Sequence, residues 1–502
     1  MRRTSTALVL IFFAGACHPR TAARPAIAAP VARNTPATLR RSLDSIAAAP
    51  AFRNANWGML VVDTLGDTVY SHNAGKLFMP ASNMKLLTTS VALAQLGPDF
   101  RYRTVVVAHG AYDQGTLRGD LGVIGRGDPT VSDHMQHDAM LPLRAVAESL
   151  YAHGLRHVQG RVIAEGNAFP DPVLGFGWAW DDLESSYSAP TDELLFNEGF
   201  STVTLRGGAE PGDSVTVAIS PAHSFPVVHV DVTTVAKSAA PISTDTGTAR
   251  RSTILVRKDT VADVVLVSGT IAAGDSVTLM VTQRDPDAAY VAALREAMRA
   301  RGIAVDGEVY GEWVGAPPDT LATLISPPLR DILPVLLKPS QNQMAEMLFK
   351  TLGLERGKAG TAVEARGVIE TQLAAWGAAP DGFVVRDGSG LSRYDYVSPE
   401  TIIHILAAMR RAPTFDLFYN ALPIAGVDGT LKTRMRGTPA EANVHAKTGS
   451  VAQARSLSGF VRTAGGEPLM FSLLANNWSV PGRDVERAQD SIAVWLARLH
   501  RP

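Results

Sequence analysis

Ser82 and Lys85 stand three positions apart at the beginning of an apolar segment that runs to Leu96. Gly97 and Pro98 follow that segment and commonly end helices, so we predict a helix that begins near Ser82. Residues three apart lie on one helix face, which places the lysine amine beside the serine hydroxyl. A neutral amine can remove the serine proton and create a nucleophile. A capping serine followed by a solvated lysine would have the same spacing, so this pair alone does not decide the chemistry.

Two further short motifs carry hydroxyl, amide and ammonium groups. Ser340 and Asn342 are two residues apart, and both could face a cleft from one loop. Lys447, Thr448 and Gly449 occur together once in the chain; on a strand they would present an ammonium and a hydroxyl to an anion, with close approach to the glycine backbone. Each motif alone is equally well explained as a loop or turn. In the order S-x-x-K, S-x-N, K-T-G, however, they form the signature set of penicillin-recognising serine enzymes.

Other kinds of site are less well supported by the sequence. His134 and His137 could hold a metal ion, but their loop-like setting predicts a solvated segment. The glycines at 125 and 127 lack the strand–turn–helix context of a nucleotide-binding loop. We therefore predict neither a metal nor a cofactor. The formal net charge is −1 and there is no basic block, so we expect no nucleic-acid partner.

The elements that must position these motifs follow from hydrophobic periodicity. A hairpin is predicted from 57–63 and 68–71, and adjacent strands from 456–462 and 469–475. Helical patterns are predicted at 38–49, 82–96, 286–301, 329–354, 362–376, 399–410 and 485–500. Between 101 and 282, short β-branched runs alternate with Gly, Asp and Pro turns, which predicts a β-rich region without long helices.

This pattern predicts an α/β (α+β) fold in which both ends of the chain build one domain. The catalytic domain would comprise 38–100 and 283–502, and one or more β-rich domains would be inserted over 101–282. A chain of 502 residues is long enough for two or three domains.

The N-terminus has the features of an export signal. Arg2 and Arg3 precede an apolar run over 7–16, which predicts a secretory signal peptide over 1–17 followed by an Ala/Pro-rich tether over 18–37. The run is too short to span a bilayer, and no later stretch is long enough. Cys17, the single cysteine, could be the lipid-modified first residue of a lipoprotein or could follow an ordinary A-x-A cleavage site. We expect an exported protein in the periplasm, with the lipid anchor left open.

The wider sequence resembles the D-alanyl-D-alanine carboxypeptidases and endopeptidases of the penicillin-binding protein 4 type, the DacB group of peptidase family S13. The resemblance covers residue 38 to the end and is strongest at 119–121, 125–129, 187–190, 342–346, 387–393, 426–430 and 446–450. It implies a β-lactamase/transpeptidase-like catalytic domain (an antiparallel sheet flanked by helices). The long gap between Ser82 and Ser340 matches the inserted domains of that family. Gln341 departs from the Asp that the family often has there.

The resemblance also implies roles for the motif residues. Ser82 would attack the carbonyl of the penultimate D-Ala of a peptidoglycan stem peptide, with Lys85 as general base. Ser340 and Asn342 would assist proton transfer to the leaving amine and hold the peptide. Water would then release the acyl-enzyme, and β-lactam antibiotics would acylate the same serine as inhibitors.

The third motif is implied to bind the end of the substrate. Lys447 and Thr448 would bind the terminal carboxylate beside Gly449, and the backbone N–H groups of Ser82 and Ser450 would stabilise the oxyanion.

Asp182 and Arg393 match family positions that bind the free end of a diaminopimelate side chain. A zwitterionic group needs one anion and one cation, although an ordinary surface salt bridge would use the same pair.

Two other functions fit the same motifs. One is a β-lactamase or esterase on this scaffold, although we find no clear Ω-loop glutamate for rapid deacylation. The other is a non-catalytic wall-binding protein that has kept the motifs.

Overall fold

The computed structural model describes residues 35–183, 185–221, 227–237, 252–258, 264–307 and 318–501. The predicted signal peptide, Cys17 and most of the predicted tether lie outside the described residues. Within the described part of the chain, no helix is both long enough and apolar enough to cross a membrane.

The described residues form eleven α-helices and nineteen strands. The helices are α1 (Pro36–Ala47), α2 (Met84–Gln95), α3 (Asp133–Gln136), α4 (Met140–Ala152), α5 (Pro286–Arg301), α6 (Leu329–Leu337), α7 (Asn342–Arg356), α8 (Ala362–Ala375), α9 (Pro399–Arg411), α10 (Phe415–Ala421) and α11 (Gly482–Ala497). The strands are β1 (Asn56–Asp63), β2 (Thr68–His72), β3 (Arg103–Asp113), β4 (Thr116–Ile124), β5 (His157–Val158), β6 (Val162–Glu165), β7 (Phe200–Arg206), β8 (Thr216–Ser220), β9 (Val227–Val235), β10 (Ser252–Lys258), β11 (Val264–Ala272), β12 (Ser276–Thr282), β13 (Ala304–Val305), β14 (Asp319–Ile325), β15 (Phe383–Val384), β16 (Tyr396–Val397), β17 (His445–Val451), β18 (Ala454–Arg462) and β19 (Pro468–Asn476).

A five-stranded antiparallel sheet joins the two ends of the chain. Its strand order is β17-β18-β19-β1-β2, and β1 pairs with β19 over its full length, from Asn56 opposite Asn476 to Asp63 opposite Leu469. Alternate residues of β1 face opposite sides of the sheet. Leu60 and Val62 belong to a core with α2, α6, α7, α8 and α9, whereas Met59 belongs to a second core with α1 and α11. This sheet, covered by helices on both faces, is the frame of the site.

Helix α2 lies inside the first core. Ten of its residues, from Met84 to Leu93, are buried, which explains why this segment is apolar on all sides. A 3₁₀ turn at Ala81–Asn83 precedes the helix, as the sequence predicts for a helix that begins near Ser82. Position 82 therefore lies where the chain enters the core.

The region after residue 101 contains more helix than we predicted. A six-stranded sheet contains β13, β5, β4, β3 and β14, with β6 paired to β4, and α4 and α5 pack together in its core. The expectation of a region without long helices was wrong, because α4 has 13 residues. The sheet also continues past residue 282, since β14 pairs antiparallel with β3. The domain boundary at 282 stays a prediction. The pairing of β14 with β3 places residues up to Ile325 in the same sheet as the start of the inserted region.

Two three-stranded sheets form the rest of the inserted region. Their orders are β12-β7-β8 and β10-β11-β9, and apolar residues such as Val203, Leu205 and Val267 form one small core.

The helix predicted over 329–354 is two helices. Pro339 lies between α6 and α7, and Ser340 adopts a positive φ of 68°, a conformation that does not continue a right-handed helix. The interruption leaves the second motif on a loop.

Candidate active site

Ser82 lies half-buried in the wall of a cleft of about 510 Å³. The residue before it, Ala81, has a positive φ of 48°, a backbone conformation that is uncommon for a non-glycine residue. The rest of the cleft is lined by residues from segments far apart in sequence: Asp181, Asp182, Tyr187, Ser340, Asn342, Gly390, Leu391, Arg393, Thr430, Thr448, Ser450, Val451 and Ala452. The structure therefore brings residues of all three motifs to one cleft.

Lys85 is completely buried and reaches three oxygen atoms. Its Nζ lies 2.9 Å from Ser82 Oγ, 2.6 Å from Asn342 Oδ1 and 2.9 Å from the carbonyl oxygen of Ser389. Two of these three atoms, the amide oxygen and the carbonyl oxygen, can only accept hydrogen bonds. When Lys85 is neutral, its two N–H groups are therefore bound by those two acceptors, and its lone pair is directed at the Ser82 hydroxyl.

The surroundings of Lys85 favour the neutral amine. Burial lowers the pKa of Lys85 to about 7, against the opposing charges of Asp387 and Glu346, which raise it. A lysine with this pKa is partly deprotonated near neutral pH, as a general base must be.

We expect kcat/KM for acylation of Ser82 to depend on the protonation of Lys85. Below pH 7 the ammonium form has no lone pair for the serine proton, so the rate should fall about tenfold per pH unit. Above pH 7 the rate should level off. Acylation rates measured with a chromogenic β-lactam between pH 5 and 8.5 test this expectation. A rate that does not change across that interval would contradict it.

Asn342 positions the lysine more directly than the sequence implied. Its side chain accepts from Lys85 and donates through Nδ2 to the backbone oxygen of Tyr187, 2.7 Å away. Ser340 lines the cleft, and its hydroxyl makes no hydrogen bond to another described residue, which leaves it available to a ligand. Gln341 caps α7 by accepting from Gln343 N, and its amide nitrogen bonds to Glu198. These contacts give a structural reason for glutamine at the variable position of the motif.

A loop from Asp387 to Ser392 supplies the carbonyl group that binds Lys85. Two side-chain carboxyl groups hold this loop by accepting hydrogen bonds from its backbone. Glu346 accepts from the backbone N–H groups of Gly388 and Ser389, and Asp387 accepts from those of Gly390 and Ser392. Gly390 must be a glycine, because a Cβ there would lie 1.8 Å from the backbone oxygen of Ala81. The loop is therefore fixed against both the lysine and the backbone next to the nucleophile.

Burial affects the carboxyl groups beneath the loop. It raises the pKa of Glu346 above its usual range, and the charge of Asp387 adds to the rise. Burial also raises the pKa of Asp395 well above its usual range, assisted by the charge of Asp387 and a hydrogen bond to it. Both carboxyl groups therefore take up a proton at a higher pH than an ordinary carboxyl group does.

A segment of the inserted region forms part of the cleft wall and contacts the catalytic domain; we call residues 177–183 and 185–189 the bridging segment. Trp178 donates from Nε1 to Asp387 Oδ2 at 3.0 Å, and Gln343 Nε2 donates to the Ser186 oxygen at 3.0 Å. The bridging segment also supplies the Tyr187 oxygen bound by Asn342. The sequence analysis missed the roles of Trp178, Asp387 and Glu346. The only indication was the resemblance to the family in the segments that contain Asp387 and Glu346.

Strand β17 carries the third motif along the edge of the sheet. Lys447 is completely buried behind the cleft wall, and its Nζ donates to the Thr448 oxygen at 2.9 Å. Burial lowers the pKa of Lys447 well below its usual value, and the charge of Lys85 adds to this. At Gly449, a Cβ would lie 2.6 Å from the backbone oxygen of Pro80 and 3.0 Å from the Ser82 nitrogen. The glycine therefore lets β17 pack directly against the backbone of the nucleophile.

Two threonines meet beside this strand. Thr448 Oγ1 and Thr430 Oγ1 are 2.7 Å apart, and both residues line the cleft. The backbone N–H of Thr430 donates to the Lys338 oxygen, and Lys338 Nζ lies 2.6 Å from Asp428 Oδ2. The contacts of Lys338 with Asp428 and with the Thr430 backbone thus support the loop that carries Thr430. The sequence analysis did not identify Thr430 as a site residue.

Asp182 and Arg393 form an ion pair in the cleft wall. Arg393 donates to Asp182 Oδ2 at 2.8 Å, and the Tyr187 hydroxyl donates to Asp182 Oδ1 at 2.6 Å. All three residues line the cleft that contains Ser82. The pair offers one anionic and one cationic group to a ligand.

The histidine pair considered above as a metal site is arranged differently. His134 bonds through Nδ1 to Glu198, and His137 ends α3 with a positive φ of 60°. Among the described residues, one group of three carboxylates, Asp192, Glu193 and Asp287, has oxygens within 4.8 Å of one another and could hold a cation. Burial raises the pKa of Asp192 and of Asp287, so protons could equally neutralise the group. None of its three residues lines the cleft.

Comparison with known proteins agrees with the family resemblance found in the sequence. A family model described as D-Ala-D-Ala carboxypeptidase 3 (S13) matches residues 39–499. The D-alanyl-D-alanine carboxypeptidase of Actinomadura sp. (strain R39) is 34% identical over 477 residues, which cover 91% of this chain and 84% of that protein. The D-alanyl-D-alanine carboxypeptidase DacB of Haemophilus influenzae is 25% identical over 436 residues, which cover 85% of each protein.

A solved structure shares the fold. The crystal structure of penicillin binding protein 4 (dacB) from Haemophilus influenzae matches with a TM-score of 0.73 at 24% identity, and the match covers 90% of this chain and 97% of that one. The same Haemophilus protein has also been crystallised with a β-lactam. The predicted antiparallel sheet flanked by helices is therefore confirmed.

Proposed function

Because this chain belongs to the D-Ala-D-Ala carboxypeptidase 3 (S13) family, we propose that Ser82 is the nucleophile with which it cleaves the terminal D-Ala–D-Ala bond of peptidoglycan stem peptides. The chain is a serine-type D-Ala-D-Ala carboxypeptidase, a peptidase of the penicillin-binding kind. The observation that carries the proposal for Ser82 is its hydrogen-bond contact with Lys85, a buried amine whose other two partners only accept. No metal or cofactor has a role in the proposed reaction.

The acylation step follows from that geometry. Lys85 takes the proton of Ser82 as Oγ forms a bond to the carbonyl carbon of the penultimate D-Ala. The negative charge that develops on the carbonyl oxygen would be bound by the backbone N–H groups of Ser82 and Ser450, which typically lowers such a barrier by a few kcal/mol. When the C–N bond breaks, the leaving D-Ala amine takes the proton back from Lys85, with Ser340 as the relay. The acyl group remains on Ser82.

We assign binding of the substrate ends to the other two walls of the cleft. The terminal carboxylate lies against Thr448 and Thr430, with the ammonium of Lys447 behind them and the backbone of Gly449 alongside. A carboxylate bound there would raise the pKa of Lys447 and favour its charged form. Asn342 holds the peptide backbone with its remaining N–H while it positions Lys85.

Asp182 and Arg393 are assigned to the free end of the diaminopimelate side chain. The ammonium of that group would pair with Asp182 and its carboxylate with Arg393, replacing the ion pair that the two residues make with each other.

Asp182→Asn should therefore raise KM about tenfold for a stem peptide that contains diaminopimelate, because one ion pair with the side chain is lost. KM for a simple acyl-D-Ala-D-Ala peptide should change by less than twofold, since that peptide has no zwitterionic end. Steady-state kinetics with both peptides measure the difference. Asp181→Asn, at the neighbouring position in the cleft wall, is the matched control. An equal change with both peptides would rule out the assigned role.

Water releases the acyl group slowly when the acyl donor is a β-lactam. Of the described acidic residues, only Asp181 and Asp182 line the cleft, and Asp182 is already bound by Arg393 and Tyr187. The buried Glu346 is occupied with the backbone of Gly388 and Ser389. The cleft thus resembles that of a penicillin-binding enzyme more than that of a β-lactamase.

We also propose endopeptidase action on cross-linked stem peptides.

The direct test of the proposed activity is release of D-Ala from a diaminopimelate-containing pentapeptide by the purified protein. We expect release by the wild type and none above background by Ser82→Ala. Cross-linked muropeptides under the same conditions test the endopeptidase reaction. An inactive wild type that is folded and binds the pentapeptide would instead support a wall-binding role.

The place of action is proposed from the N-terminal sequence. Residues 1–17 direct export to the periplasm, and Cys17 is the point of lipid attachment if the protein is a lipoprotein. Mass spectrometry of the mature N-terminus, recovered from membranes or from the soluble periplasm, distinguishes the lipidated form from the cleaved form.

A further inference from the structure

A second groove lies at the opposite edge of the central sheet from the catalytic cleft. Strand β17 forms one edge, next to Ser82, and β2 forms the other. Four strand spacings of about 4.8 Å separate the two edges by about 19 Å. The groove has a volume of about 420 Å³, which is within the range of small-ligand sites. Its walls are the β1–β2 hairpin and helix α9.

One face of α9 runs along the length of this groove. The residues on that face follow helical spacing and are Glu400, Ile403, His404, Ala407, Arg410 and Arg411. Their charge is separated by position: the acidic residue is near the start of the helix and the two arginines are at its end. At about 1.5 Å per residue, the acidic and basic ends of the groove are about 15 Å apart.

The middle of the groove is apolar. Leu60, Val62 and Met470 form the floor and are at most 7% exposed, and Ile403 lies beside them. On the hairpin side, Leu65 at the turn is 87% exposed, so an apolar side chain projects into solvent at the rim.

The charged groups of the groove have no side-chain partners among the described residues. Among the described residues, none forms a hydrogen bond or ion pair with the side chain of Glu400, His404, Arg410 or Arg411. Arg410 is also half-buried in the wall of the groove, so an anion bound there would be partly shielded from water. An anion at the arginine end would supply the missing partner in a geometry that guanidinium groups bind well.

We propose that this groove binds a short zwitterionic peptide, with its carboxylate at Arg410 and Arg411 and its amino group at Glu400. An extended peptide spans about 3.3 Å per residue, so four or five residues cover the distance between the two ends. The apolar floor accepts small side chains such as those of alanine. Within the substrate class of this enzyme, the trimmed stem tetrapeptide has this length and these charges; that choice of peptide rests on the proposed function. The groove would then hold released tetrapeptide, because a stem peptide still attached to the glycan has its amino end in an amide linkage.

Photo-crosslinking locates such a peptide directly. The probe is a stem tetrapeptide with a photoreactive leucine in place of its first alanine, applied to the full-length protein before and after acylation with benzylpenicillin. Labelled residues are mapped by mass spectrometry. We expect labels at both the cleft and the groove in the free protein. After acylation, labels should remain only in the groove segments, 60–71 and 400–411, and should saturate with probe concentration.

Charge variants test the assigned ends. Arg410→Gln with Arg411→Gln should lower groove labelling at least about fivefold, the loss expected for partly exposed ion pairs, and Glu400→Gln should lower it in the same direction. Arg436→Gln, an exposed arginine outside the groove, is the matched control and should label like the wild type. D-Ala release should be the same in all four proteins.

Two results would overturn the proposal: no saturable label in the groove of the acylated protein, or labelling that the charge variants do not alter. Failure of the proposed function is seen separately, as absence of the benzylpenicillin adduct or of D-Ala release, because groove labelling in the free protein does not depend on either.

Discussion

Lys85→Arg should lower the rate of Ser82 acylation by 10²- to 10⁴-fold, the contribution expected of a general base. Arginine keeps the positive charge and the hydrogen-bond donors, but its guanidinium does not lose a proton in proteins. The variant therefore separates removal of the serine proton from charge and packing. Stopped-flow acylation by a chromogenic β-lactam measures the rate, and the pH dependence described for the wild type should disappear in the residual activity.

The control must show that a larger cation in the core has not simply displaced the serine. Lys85→Met removes the amine with a flexible apolar side chain and should give the same loss. Lys432→Arg, at an exposed position, should leave the rate unchanged. If Lys85→Arg kept more than one-tenth of the wild-type rate, another group would have to act as the base.

Gly449→Ala should lower kcat/KM about 10²-fold, although position 449 contributes no side chain to the reaction. A Cβ there would lie 2.0 Å from Ser456 Oγ and 2.6 Å from the Pro80 oxygen, and these two atoms are hydrogen-bonded to each other. Strand β17 would have to move away from the turn that carries Ser82. Displacement of reacting groups by about 1 Å is enough for a loss of this size.

The matched control is Gly367→Ala in helix α8. Apart from its chain neighbours and the helix backbone, no atom of the described residues lies within 4 Å of a Cβ at that position, and alanine is favoured over glycine within a helix by about 1 kcal/mol. We expect unchanged kinetics and slightly higher stability for Gly367→Ala, but a loss of both for Gly449→Ala, with about 1–3 kcal/mol of overpacking cost. Chemical denaturation and steady-state kinetics measure both. Full activity of Gly449→Ala would mean that β17 does not set the position of the nucleophile.

Local signals in the sequence predicted much of the frame of the site. The β1–β2 hairpin, the helix that begins near Ser82 and the strands β18 and β19 all have clear periodicity and boundaries, and they formed within a few residues of the predicted ranges. The order of the three motifs then predicted which residues would meet in the cleft. The individual elements depend on neighbours in the chain, whereas the meeting of the motifs was predicted from the known signature set and not from local pattern.

The support beneath Lys85 could not be predicted in the same way. Its carbonyl partner belongs to Ser389, which is more than 300 positions away, and the loop around that residue is held by Glu346, Asp387 and Trp178. These residues come from separate elements, and no local pattern connects them. Helix α4 was missed for a different reason: short β-branched runs lie on both sides of it, and they led us to predict that the whole region is β-rich.

The central claim is that Ser82 forms a covalent acyl-enzyme, and the most direct measurement of it is the mass of the protein after incubation with benzylpenicillin. We predict a stable increase equal to the mass of one antibiotic molecule, located by peptide mapping on Ser82 and absent from Ser82→Ala. An unmodified wild-type protein, or an adduct that persists in Ser82→Ala, would contradict the account.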